Sequence, residues 1–197
     1  MTIWKSTING DAEMKIKEAI RKADSMIWVL AVIAVSFSVF ACQKEDLKSA
    51  IADQDKEIER FVNSLAGMDY RIERHEGIVR AVVEEGSGEE AQNGDSLHFI
   101  YSGYIFSGGP GTLFVTNDTI MVDDTTFFPA GKAPERICLG STPLIEGLAE
   151  GLKGVKKGEH CYIFFSAKYG FYNTIVYGVP KLSPLFYDIV VEDVIKN

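Results

Sequence analysis

The stretch LGSTPLIEGLAEGLKGVKKGE, Leu139 to Glu159, limits the fold more than any other part of this chain. Glycine stands at 140, 147, 151, 154 and 158, yet Ile145, Leu148 and Leu152 fall at i, i+3 and i+7, with Leu144 one step ahead of them. That is the one-sided apolar stripe of a helix about two turns long. A helix so short is not stable alone, so its stripe must lie on another layer, and a sheet is the layer that fits. Gly140 and the KGVKKG after Leu152 give abrupt entry and exit. Gly147 and Gly151 let the helix approach the sheet closely, although each costs about 1 kcal/mol in helix propensity.

The strands of that sheet follow from composition and punctuation. After Tyr70 the pattern becomes period two or short apolar runs: residues 77–88, 95–108, 135–140, 159–167 and 183–195 are β-branched or aromatic stretches bounded by Gly, Pro, Ser or Asp. They predict about five strands, with the short helix between the third and fourth. The expected fold class is α+β, an antiparallel sheet wrapped on one helix. No self-similar period argues for repeats.

Ahead of this region, Leu47, Ile51, Ile58, Phe61, Val62 and Leu65 trace one face of an amphipathic helix that Gly67 ends. Asp53, Asp55, Glu57, Glu59 and Arg60 lie mostly on its wet side. The stripe must bury against either the domain or a second copy of itself, as a homodimer through residues 47–65.

Met26 to Ala41 is a run of sixteen residues without a charge, ending at Cys42, with Lys15, Lys17, Arg21 and Lys22 upstream. The order basic, apolar, small residue, cysteine reads as a secretory signal rather than a spanning helix, which needs about 20 apolar residues; a membrane anchor is the alternative. Asp11 and Glu13 do not suit a signal peptide, so Met14 is read as the start. The organisation expected is a signal segment over 1–41, a lipidated tether and amphipathic helix over 42–69, and one domain over 70–197. At 197 residues, 46% hydrophobic and 24% charged, the chain has room for that one domain and its extras. A formal charge of −8 argues against nucleic acid as a partner, because that binding is driven by Lys and Arg neutralising phosphates.

With these residues in place, two resemblances can be stated. VFAC, Val39 to Cys42, resembles the lipobox of bacterial lipoproteins, although Leu is commoner than Val39 and Phe40 is bulky. It implies acylation of Cys42 and attachment to a membrane, hence a cell-envelope location as an outer-membrane lipoprotein facing the periplasm or the surface. QKED, Gln43 to Asp46, is similar to signals that send some lipoproteins to the cell surface, and also fits a solvated tether.

From about Gly77 to Lys196 the chain resembles the FKBP peptidyl-prolyl isomerases. Four motifs agree in order: EEGSGEEAQNGDSLHFIYSGY with its Tyr101 and Gly103; LGSTPLIEGLAEGLKGVKKGE with Leu144 and Ile145; AKYGFYN; and VPKLSPLFYDIVVEDV. The resemblance implies a cup of Tyr101, Phe114, Leu144, Ile145, Leu148, Phe171, Val179 and Tyr187, floored by Leu148, with Tyr101 and Tyr187 on a partly open surface. It implies proline-containing peptides or unfolded protein segments as partners, and requires no cofactor, metal, nucleophile or base. His75, His98 and His160 lie apart from any cluster. Since the family domain is complete without residues 47–65, that helix is expected to stand apart as a spacer or dimer element. Cys138 and Cys161 are expected to be unpaired, because in the implied topology their strands lie three places apart, about 14 Å.

The departures from the family are equally specific. Val115 stands where an Asp usually follows Phe114, with Asp118 as a substitute from a different backbone position. Glu135 stands where a pocket aromatic is usual, and Phe171 replaces a tyrosine, with Tyr172 as a displaced replacement. Phe127 and Phe128, in a longer segment after Phe114, would either refill the cup or close it. Two functions therefore stand side by side: an envelope isomerase assisting folding, or a binding module of the same fold that grips extended or proline-bearing segments with little turnover.

Overall fold

A computed structural model describes residues 45–118, 134–176 and 178–197. The chain divides into two units, Met1–Lys48 and Ser49–Asn197. Met26–Ala41, Cys42, Phe127 and Phe128 lie outside the described residues, so the signal, the lipid site and the insertion aromatics have no structural account. Among the described residues no helix is long and apolar enough to cross a membrane.

Helix α1 runs over residues 45–65. The sheet strands are β1 (Arg71–His75), β2 (Ile78–Glu84), β3 (Ser96–Phe106), β4 (Pro110–Thr116), β5 (Glu135–Cys138), β6 (His160–Phe165) and β7 (Leu185–Ile195), with helix α2 (Glu146–Gly151) between β5 and β6. All pairings are antiparallel. The order is β1-β2-β6-β7-β3-β4, with β5 also on β3. The five expected strands are therefore present, and β1 and β4 are additional. Charges conceal β1, because RIERH offers one large apolar residue. It pairs as the outer arm of a hairpin whose turn, Glu76–Gly77, has φ of 48° and 89°, the geometry that two-residue hairpins favour.

The inner face of the sheet packs on α2: Ile78, Leu97, Phe99, Ile163, Phe165, Leu185 and Ile189 share one buried cluster with Leu148 and Leu152. The close approach expected of the glycines is real. A Cβ on Gly147 would lie 2.3 Å from the Phe165 ring, and one on Gly151 would lie 2.5 Å from Ile163. Buried Arg80 on β2 ties down the far end of the helix, its Nη1 donating to the carbonyls of Gly151 at 3.0 Å and Lys153 at 2.6 Å. These are carbonyls that a helix terminus otherwise leaves without partners. Its Nε lies 3.6 Å from the carboxylate of Glu159, which is wholly buried.

Helix α1 corrects an expectation. It does not stand apart; Ile58, Val62 and Leu65 are buried against Val79, Ala81, Phe106, Phe164 and Phe186 on the outer face of the sheet. Gln54 bridges the helix to two loops, accepting from the Ala167 N–H at 2.9 Å and donating to the Leu182 carbonyl at 2.7 Å. The physical reason is that the sheet is apolar on both faces, so one helix cannot cover it. The part of the stripe from Ile58 to Leu65 is thus occupied by the sheet, while Leu47 and Ile51 stay half-buried outside that cluster. The helix ends at residue 65 in a 3-10 turn, Ala66–Met68, and the reversal falls on left-handed Asp69 rather than on Gly67.

Cys138 and Cys161 are unpaired, as expected. Cys138 sits on β5 and Cys161 on β6, separated by β3 and β7. Burial pushes the Cys161 thiol well above its ordinary range.

Candidate active site

The site begins at a gap in the sheet. One edge of β3 pairs with β5 over Ser96–Phe99 and with β4 from Ser102 onward. Between them the backbone of Tyr101 would be left without partners, a costly state inside a protein. Buried Thr116 and Asn117 supply them. The Tyr101 N–H donates to Asn117 Oδ1 at 2.7 Å, and the Tyr101 carbonyl accepts from the Asn117 N–H at 3.1 Å and from Thr116 Oγ1 at 2.9 Å. Asn117 Nδ2 also donates to the Phe99 carbonyl at 3.2 Å. Tyr101 is thereby held at the switch between two partner strands.

Around it the expected cup residues come together. Phe114, Leu148, Val179 and Tyr187 belong to the inner cluster, and Tyr101, Leu144, Ile145 and Phe171 pack against it half-buried. Tyr101 and Tyr187 have ring centroids 6.2 Å apart. Phe114 meets Phe171 edge-on at 6.0 Å and Tyr187 edge-on at 5.9 Å. Gly103 makes room for this arrangement, since a Cβ there would lie 2.7 Å from Val115, 2.9 Å from the Tyr187 ring and 3.1 Å from Phe114. That is the reason a glycine follows two residues after Tyr101.

Several details differ from expectation. Tyr187 is 4% exposed and does not line an open surface; Tyr101 is half-buried. Tyr172 is 44% exposed with φ of 51°, outside the aromatic cluster, so it does not replace the hydroxyl missing at Phe171. Val115 is half-buried against the inner cluster. The charge of Asp118 is felt by Tyr104 on the outer face. The carboxylate that acts on Tyr101 is instead Glu135, which with the larger effect of burial pushes its hydroxyl up to about 12. Tyr101 is therefore a neutral hydrogen-bonding group throughout the physiological range.

Two further aromatics belong to the cluster: Phe165, stacked on Tyr187 at 5.9 Å, and Phe99, 5.7 Å from Tyr101. Strand alternation could have found both, because Phe99 is two residues before Tyr101 and Phe165 is two after Ile163. No sequence signal marks Asn117, whose role arises only where β4 and β5 meet β3. Ile145 caps α2 in an extended conformation, with φ of −63° and ψ of 143°. Its carbonyl accepts from Leu148 and Ala149, both at 3.0 Å.

The seven-stranded antiparallel sheet, the short helix α2 across its inner face and the aromatic cluster between them define an α+β domain with an aromatic cup. Comparison narrows this. Residues 87–192, more than half of the chain, match the family model of the FKBP-type peptidyl-prolyl cis-trans isomerases. FK506-binding protein 1 of Aspergillus oryzae is 24% identical over 119 residues, which is 57% of this chain and 94% of that protein. Among solved structures, FkpA from Escherichia coli aligns with a TM-score of 0.53 at 23% identity, covering 84% of this chain and 70% of that one. A peptidyl-prolyl cis-trans isomerase from Pseudomonas syringae pv. tomato aligns with a TM-score of 0.55 at 15% identity, covering 76% and 96%. The chain belongs to the FKBP-type peptidyl-prolyl cis-trans isomerases, and its activity class is isomerisation of the peptide bond before proline.

Proposed function

We propose that this isomerase works at the cell envelope, held to a membrane by acylated Cys42, and acts on X-Pro bonds in extended or unfolded segments of proteins folding there. The observation that carries the site assignment is the assembly of Tyr101, Phe114, Leu144, Ile145, Leu148, Phe171, Val179 and Tyr187 around one aromatic cluster.

The chemistry asked of such a site is modest. Rotation about an X-Pro bond meets a barrier of about 18 to 20 kcal/mol because it destroys amide resonance, and isomerisation takes tens to hundreds of seconds. A twisted amide is less dipolar than a planar one and tolerates dry, aromatic surroundings better. In this reading the prolyl ring rests among Tyr101, Phe114 and Tyr187, the Ile145 N–H donates to the carbonyl of the residue before proline, and the Tyr101 hydroxyl holds the peptide. No proton changes hands. The name of the fungal relative adds FK506 as a competing occupant.

The test is a proline-isomerisation assay on the full chain, with and without FK506. Acceleration that FK506 abolishes supports the reading. Binding of a proline peptide without acceleration favours a gripping module, to which the exchange of the usual Asp for Val115 and of tyrosine for Phe171 would contribute. Mass spectrometry of the membrane fraction checks the anchor: the proposal expects an acylated N-terminal Cys42, and a chain retaining Met26–Ala41 overturns it.

A further inference from the structure

The outer face of the sheet carries a feature that the isomerase reading does not use. Where α1 leaves it uncovered, Phe61, Tyr104, Pro110, Tyr162, Phe186 and Asp188 enclose a cavity of about 160 Å³. Phe186 is its floor, 3% exposed and stacked on Phe164 at 4.9 Å. Tyr104 and Tyr162 stand on either side of that floor, with ring centroids 5.4 Å and 5.3 Å from Phe186. Asp188, two residues along β7 on the same face, is paired in register with Ser102 and Tyr162. It brings a carboxylate to the rim of an otherwise aromatic pocket. His160 Nε2 lies 2.8 Å from Oδ1 of Asp188, and the carboxylate side chain remains 35% exposed. Its charge reaches both tyrosines, whose hydroxyls are raised first by burial and then in part by Asp188.

We infer that this pocket is a second binding site, one that takes the guanidinium group of an arginine side chain on a partner polypeptide. Aromatic faces attract cations through their quadrupole. A carboxylate beside them selects a cation that can both stack and form a forked hydrogen bond. Guanidinium does both, and it is less strongly hydrated than an ammonium group, so it enters an aromatic pocket at lower cost. Arg71, Arg74 and Arg80 are engaged elsewhere, with Glu85, Glu59 and Glu73, and among the described residues no arginine lines the pocket. A formal charge of −8 favours the approach of basic partners. Phe61, one wall of the pocket, comes from α1, which precedes the matched family region 87–192. One wall of the pocket therefore lies outside the matched region while its other residues lie within it, and the pocket is on the opposite face of the sheet from the isomerase cup.

The test uses the full-length chain in detergent micelles, titrated with acetyl-Gly-Arg-Gly-amide and with the same peptide carrying citrulline, a neutral isostere. Chemical shifts of Tyr104, Tyr162 and Phe186 report binding. The arginine peptide should bind at least tenfold more tightly than the citrulline peptide, and Asp188→Asn should reduce it to the citrulline level. Should Asp188→Asn fail to fold, Tyr104→Leu must produce the loss. Equal binding of the two peptides, indifference to Asp188→Asn, or a lysine peptide binding as tightly as the arginine one would each overturn the assignment. A saturating proline peptide in the cup should leave these shifts in place, so failure of the isomerase reading would not disturb the result.

Discussion

Asn117 grips Tyr101 from both sides of its backbone, its side-chain oxygen accepting the Tyr101 N–H at 2.7 Å and its own N–H donating to the Tyr101 carbonyl at 3.1 Å. Both groups are held inside the sheet, where an unmade hydrogen bond costs about 1 to 3 kcal/mol. Asn117→Ala should therefore lower stability by about that amount in urea unfolding and should also slow isomerisation, because Tyr101 loses its fixed position. A stable variant with full turnover would show that the clamp is irrelevant to the site.

Tyr101→Phe removes the hydroxyl and leaves the ring. Stability should change little, while kcat/KM should fall about 2- to 10-fold, the kinetic equivalent of one hydrogen bond of about 0.5 to 1.5 kcal/mol. Because burial and Glu135 push the hydroxyl up to about 12, the wild-type rate should show no tyrosine titration between about pH 6 and 10. A titration in that interval that disappears in Tyr101→Phe would contradict this account.

Gly147 faces the Phe165 ring, which itself supports Tyr187. Gly147→Ala would gain about 1 kcal/mol in helix propensity, but the added Cβ would sit 2.3 Å from the fully buried Phe165 ring. Overpacking costs about 1 to 3 kcal/mol, so the variant should be less stable on balance, with a shifted cup. Equal or greater stability would mean that α2 can lift from the sheet without penalty.

Ile58 tests whether α1 belongs to the folded unit. At 2% exposure against the outer face, Ile58→Ala should destabilise the entire domain by about 2 to 5 kcal/mol. A single cooperative transition shifted to lower denaturant is expected. An unchanged midpoint would return the helix to the role of a free spacer.

His160 is raised above its ordinary value, first by its hydrogen bond to Asp188 and, less strongly, by the charges of Asp188 and Glu84, against the opposing effect of burial. Since the folded value is higher than the unfolded one, the pair's contribution to stability is fully present below about pH 6.5, the ordinary value. It is lost as the pH rises through the folded value. NMR titration should place His160 above the ordinary value in the wild type and close to it in Asp188→Asn, with the stability slope in that window flattened. Identical titrations would exclude the pairing.

Much of this architecture is set by local pattern. The stripe Ile145, Leu148, Leu152 and the glycines among them dictate a short helix pressed on a sheet, and alternation within residues 95–108 and 183–195 dictates β3 and β7, because side-chain period and backbone freedom are properties of a few adjacent residues. The eight cup residues are named by motifs shared with the family rather than by periodicity, and Phe171 and Val179 among them lie on loops that no helix or strand pattern marks. What only the tertiary structure decided involves residues distant in the chain. Continuous runs such as CYIFF do not say which layer covers which face, so the docking of α1 on Phe164 and Phe186 had to be seen. The clamp of Asn117 on Tyr101 exists because β4 and β5 share one edge of β3, and Asp188 meets Tyr104 and Tyr162 because three strands place them on one surface. Hydrogen bonding and aromatic contact act over a few ångströms in space, whereas sequence pattern records only neighbours along the chain.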